Sequence, residues 1–144
     1  MPNKALVARS VDPMDSKEKA LLCVQLARSR RAQDVVVLDL REMISFADYF
    51  VLCTGRSDRQ VLAIAEHLTR ELKPLKVRPR SVEGLSAGRW VLMDLEDVIV
   101  HVFQPSVREF YDLEGLWSDA PRLGLPPDLE EETRSLTLGD DPDE

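Results

Sequence analysis

The run Tyr49-Phe50-Val51-Leu52-Cys53 is apolar at every position, and Thr54-Gly55 closes it just before the clearest helical pattern in the chain. A strand that is apolar on both faces has to be covered on both, which is a property of sheets flanked by helices. Ser57 with Gln60 three residues on reads as a capping box. Val61, Ile64, Ala65, Leu68 and Leu72 then follow at helical spacing, and Pro74 stops the pattern. A buried strand feeding a capped amphipathic helix makes this an α/β chain.

Other segments fill in around that unit. Residues 1–14 read as a loose arm broken by Pro2 and Pro13. A helix is predicted from Asp15 or Ser16, with Ala20, Cys23, Val24 and Ala27 on one face and Arg28, Arg30 and Arg31 at its end, where cations suit the helix dipole. Val35 to Leu38 reads as a second doubly apolar strand and therefore as central. Arg41 to Ala47 connects the two strands with room for one helical turn. Val77 to Val82 alternates and reads as a strand near an edge, and Glu83 to Gly88 as a flexible loop. Trp90 to Met93 and Val98 to Phe103 are separated only by Asp94-Leu95-Glu96-Asp97, so they are expected to pair as an antiparallel hairpin. A short helix is predicted from about Ser106 to Tyr111. The expected architecture is one domain over residues 15–117, a mixed five-stranded sheet with helices on its faces.

Charge divides the chain more sharply than hydropathy does. Residues 1–117 carry 17 basic and 17 acidic side chains, whereas residues 118–144 carry Arg122 and Arg134 against nine acids, so the whole net charge of −7 lies in the last segment. That segment has four of the nine prolines and none of the eight aromatics, and it reads as an acidic disordered tail, solvated or screening a binding face. A neutral body and an acidic tail argue against strong direct binding of nucleic acid, which needs a basic surface. No run reaches the roughly 20 apolar residues of a membrane helix, so no membrane partner is expected. Nothing near Lys4 and Arg9 resembles a signal peptide. With Cys23 and Cys53 alone, neither a disulfide framework nor a cysteine-based zinc site is available, and a reducing cytoplasm is the default compartment.

Catalytic chemistry finds little support in these residues. His67 falls on the expected solvent side of its helix, and His101 lies mid-strand among apolar neighbours, the usual place of a hydrogen-bonded structural histidine. There is no zinc spacing and no nucleophile elbow. Thr54-Gly55-Arg56-Ser57 puts a turn at a helix N-terminus, but a plain N-cap explains Ser57. A glycine and serine before a helix, followed by carboxylates on a strand, is also the skeleton of a metal-dependent nucleotidyltransferase, with Asp94 and Glu96 as the acids. Against that alternative, 37 residues separate Ser57 from Asp94, and Asp94 to Asp97 reads as an ordinary hairpin turn. No cofactor or metal is therefore expected. Phe110 and Trp117 are assigned to the core, while Trp90, beside Arg89 and a glycine-rich loop, stays open between core and interface.

Asp48 to Gly55 with Ser57 and Arg59-Gln60-Val61, then Glu83-Gly84, Trp90, Asp94, Asp97 to Phe103, Arg108 and the closing Tyr111-Asp112-Leu113-Glu114 with Leu116-Trp117 together resemble the ribosomal silencing factor (Iojap-like) family. The resemblance spans about residues 15–120. It implies a nucleotidyltransferase-like fold without the activity. It further implies binding to the large ribosomal subunit through its fourteenth protein, uL14, steric blocking of small-subunit association, and lowered translation under nutrient limitation. The resemblance also implies a homodimer for the free chain. For this chain the expected docking face is Trp90 with Gly84, Ser86 and Gly88 of the preceding loop and Asp94, Leu95, Asp97 and Val98 of the hairpin turn, an aromatic anchor among residues the local fold does not demand.

Overall fold

The structure is a computed structural model, and it describes residues 14–128. The elements run α1 (Ser16–Ser29), β1 (Gln33–Asp39), β2 (Tyr49–Thr54), α2 (Asp58–Leu72), a 3₁₀ turn (Lys73–Leu75), β3 (Ser81–Glu83), β4 (Trp90–Asp94), β5 (Val98–Phe103), α3 (Pro105–Tyr111) and α4 (Leu113–Leu116). The five strands form one sheet in the order β1-β2-β5-β4-β3. Only β2 and β5 are parallel; the other pairs are antiparallel, including the β4–β5 hairpin expected from its short turn.

Both long helices start where the sequence places them. Asp15 caps α1 by accepting from the Glu18 amide, and the Glu18 carboxylate accepts in turn from the Asp15 amide. At α2 the box is one-sided. Ser57 Oγ accepts from the Gln60 amide, but Gln60 Oε1 turns outward by one residue and accepts from the Arg56 amide at 2.7 Å. The apolar faces of both helices are buried against one face of the sheet, where Val37, Val51, Val91, Met93, Val100 and Val102 meet them. The opposite face carries Leu38, Phe50, Leu52, Ile99 and Phe103, with Trp117 edge-on to Phe50 at 6.2 Å. Every β2 and β5 residue is buried, as sheet strands covered on both faces require.

Three expectations are corrected. β1 is an edge strand, not a central one. Its free edge is closed by the returning chain: the Asp39 amide donates to the Pro121 carbonyl at 2.7 Å and the Leu123 amide to the Val37 carbonyl at 3.0 Å. Covering the edge satisfies backbone groups that would otherwise template foreign strands. The same contacts place residues 118–128, read from composition as tail, against the body, with Ala120 buried and Leu123 and Leu125 packed on the core. Residues 1–13 and 129–144, the rest of the arm and tail, lie outside the described residues. The strand expected over Val77 to Val82 shrinks to Ser81–Glu83. Arg41 to Ala47 holds the single turn expected of it, in which the Ile44 amide reaches the Leu40 carbonyl.

Lys19 shows what a helical face hides from pattern reading. Its Cα sits on the buried side of α1, and its ammonium donates to the Leu95 carbonyl at 3.0 Å and to Asp97 Oδ1 at 2.7 Å. The Asp97 carbonyl meanwhile accepts from the Asp48 and Tyr49 amides, so one residue ties α1, β2 and the β4–β5 turn together. Replacing Asp97 by alanine strands a buried ammonium. Because the carboxylate itself is 39% exposed and the Leu95 carbonyl still accepts from the ammonium, the loss is expected below that for fully buried pairs, about 2 kcal/mol. A urea midpoint unchanged in Asp97→Ala would show that water replaces the carboxylate at no cost.

Candidate docking surface

Trp90 opens β4 on the face that carries His101 and Phe103. Its indole N–H donates to His101 Nδ1 at 3.1 Å, and its ring lies 5.1 Å from Phe103 and 4.9 Å from Tyr111. Tryptophan only donates, so Nδ1 is the acceptor and the ring proton of a neutral His101 sits on Nε2. Nε2 is buried without a partner among the described residues. Phe50 packs on the imidazole at 4.8 Å, and burial pushes its pKa down to about 3. The histidine is thus a neutral, fixed acceptor that sets the rotation of the Trp90 ring. The sequence reading of a structural, hydrogen-bonded histidine matches this geometry.

Trp90 is only half-buried, and what surrounds it is more exposed still. Tyr111 is 54% exposed and Phe110 79%. Arg89, Trp90, Ser106, Val107, Phe110 and Tyr111 line a shallow cavity of about 420 Å³. Exposed aromatic and apolar side chains grouped around a held tryptophan are the composition of an interface centre. Phe110, assigned to the core from sequence, is therefore a correction, while Trp117 packs as expected. A seven-residue helix is too short to show its period: Val107 packs inward and Phe110, three positions on, faces solvent. Arg108 anchors this helix. Its guanidinium makes two 3.0 Å bonds to the Glu114 carboxylate and reaches Thr54 Oγ1 and the Asp34 carbonyl. Hydrogen bonding to Arg108 holds the Glu114 carboxyl below its ordinary range.

The loop residues named from sequence divide between the two ends of β4. Gly84 adopts φ +92°, and a Cβ there would collide with the Trp90 carbonyl oxygen. Gly88 adopts φ +68° and presses on Asp58. Both therefore shape the chain entering Trp90, and Ser86 is exposed between them. The hairpin turn lies at the far end of the strand, about 13 Å away at 3.3 Å per residue. There Asp94 accepts from the Glu96 amide at 2.8 Å and pairs with Arg80 at 3.3 Å, which is turn and ion-pair chemistry. Asp97 is committed to Lys19. Leu95 and Val98, expected to add apolar contact area, are core residues at 2% and 0% exposure and offer a partner nothing. Among the described residues, no group of three or more acidic, histidine or cysteine side chains is arranged to hold a metal ion. No helix there is long and apolar enough to cross a membrane.

Residues 13–141 match the family model described as ribosomal silencing factor during starvation. The chain belongs to the ribosomal silencing factor family. It is 40% identical to the ribosomal silencing factor of Bacillus subtilis over 112 residues, covering 78% of this chain and 95% of that one. It is 31% identical to the mouse protein named for mitochondrial assembly of the ribosomal large subunit, of which it spans 62%. A crystal structure of a Chromobacterium violaceum protein superimposes with a TM-score of 0.71 at 35% identity, covering 79% of this chain and 91% of that one. The family name describes a regulator of translation acting at the ribosome.

Proposed function

We propose that this silencing factor docks on the large ribosomal subunit through the protein uL14 and blocks small-subunit joining by its bulk. The observation that carries this reading is the Trp90 ring, hydrogen-bonded to His101 and flanked by exposed Tyr111 and Phe110. An anchor whose rotamer is already fixed loses little entropy on binding, and a steric blocker needs an anchored contact rather than a reacting group. A neutral body suits a protein partner better than a lattice of phosphates. The mouse relative's name refers to the large subunit, and the family description refers to starvation. The reading includes repression under nutrient limitation, a cytoplasmic place of action and a homodimer for the free chain.

Sedimentation with isolated large subunits tests the first step, and light scattering after adding small subunits tests the second. The protein is expected to pellet with large subunits and to lower the joined fraction in proportion to occupancy. Failure to pellet sinks the docking claim. Pelleting with joining unaffected leaves a ribosome binder that is no blocker.

A further inference from the structure

Little apolar burial holds the helices beside Trp90 in place. Neither α3 nor α4 contains a fully buried residue. Val107, Leu113 and, just past α4, Trp117 pack on the core but stay half-buried. Helices of seven and four residues are also far shorter than one that is stable by itself. Yet the Tyr111 ring stands 4.9 Å from Trp90 and 5.0 Å from Phe110, a definite arrangement on a weakly buried support.

Arg108 supplies what burial does not. It sits midway along α3, and its side chain is only 11% exposed. Nε and Nη2 form a fork on the Glu114 carboxylate, both bonds at 3.0 Å, which locks α3 to α4. Nη1 donates to Thr54 Oγ1 at 2.8 Å and to the Asp34 carbonyl at 2.7 Å, which pegs the helix pair to the end of β2 and the start of β1. Thr54 is the last residue of β2 and is buried. Asp34 takes φ +51° where the β1–β2 register shifts between Gln33 and Val36, and a bulge of this kind leaves its backbone groups outside the ladder. A guanidinium donates in a fixed plane, so these four bonds set the orientation of α3 as well as its distance from the sheet.

We propose that Arg108 is the positioning residue of the docking surface: its clamp on Glu114, Thr54 and Asp34 sets where Phe110 and Tyr111 stand against Trp90. It acts through those two rings, because four of its five N–H donors are spent inside the chain. The inference rests on the docking reading given above and adds the residue that shapes its contact face.

Arg108→Gln in the full chain, followed by sedimentation with large subunits and by NMR, tests it. Affinity is expected to fall about tenfold. The nuclear Overhauser contact between the Tyr111 and Trp90 rings should be lost, with the amides of Val51 and Val100, deep in the sheet, unshifted. Arg108→Lys keeps the charge but not the fork and should lose affinity almost as far. In a chain carrying Phe110→Ala with Tyr111→Ala, Arg108→Gln should change affinity by less than about twofold, because the rings through which it acts are gone. A purely structural role would lower affinity by the same factor in both chains. Should Arg108→Gln fail to fold, Glu114→Gln, which keeps the acceptor's shape without its charge, goes through the same cycle with the same expected pattern. Equal losses in the two backgrounds overturn the proposal, as does a folded variant whose affinity or ring contact is unchanged. If the chain with Phe110→Ala and Tyr111→Ala binds as tightly as the unaltered one, the docking reading itself falls and takes this proposal with it. If it binds weakly while Arg108→Gln alone does not, only the role of Arg108 falls.

Discussion

Trp90→Ala is expected to weaken binding to the large subunit by about 2 kcal/mol or more, a factor of roughly 30, while leaving a folded protein. The alanine removes the ring that packs, tilted, against Tyr111 and Phe103, and with it the centre of the exposed aromatic group. It also leaves His101 Nδ1 buried without its donor, a cost to stability of about 1–3 kcal/mol. The two losses have to be separated. Trp90→Phe keeps a ring in place but removes the N–H, so it should reproduce most of the stability loss and little of the binding loss. Urea unfolding and sedimentation with large subunits, run on both variants, give the two numbers independently. Unchanged affinity in Trp90→Ala, with a folded protein, would remove this face from the docking surface.

His101 governs the second large effect, which is a loss of stability in mild acid. In the fold its pKa is near 3, because burial disfavours the imidazolium, whereas the unfolded chain takes up that proton near 6.5. Between those values the unfolded state holds more protons, so stability falls as pH falls, by about 1.4 kcal/mol per pH unit. From pH 6.5 to 4.5 the expected loss from this residue is roughly 2–3 kcal/mol. His67 is shifted the same way, by burial and then by Arg30, and adds to the same window. Asp39 and Glu114, held low by their arginine partners, lose their contribution only at lower pH, as it falls through the carboxylate range. Comparing pH 7.5 with pH 4.5 in urea, His101→Leu should be less stable at the higher pH yet lose markedly less on acidification than the unaltered chain. Equal losses in the two proteins would show that His101 is not the acid-sensitive group.

These two residues also mark how far the sequence carries. The apolar runs at Tyr49–Cys53 and Val98–Phe103, the α2 stripe from Val61 to Leu72 and the four-residue gap before Val98 were each enough to assign their element, because period and loop length are local properties of a chain. The identity of the family was legible for the same reason, as an ordered succession of short motifs. Trp90 could be singled out but not oriented. Its partner His101 is eleven residues away, on the neighbouring strand, and neither residue announces the other.

Composition and spacing determined that this chain is α/β, that its body is neutral and that its excess of acids over bases lies at one end. Tertiary structure alone decided that β1 lies at the edge of the sheet, that residues 120–125 close that edge, and that Leu95 and Val98 are core while Phe110 is surface. The reason is physical. An apolar run requires that something cover it, but the covering element is whichever distant segment can satisfy both its side chains and its backbone hydrogen bonds, and the fold as a whole makes that choice.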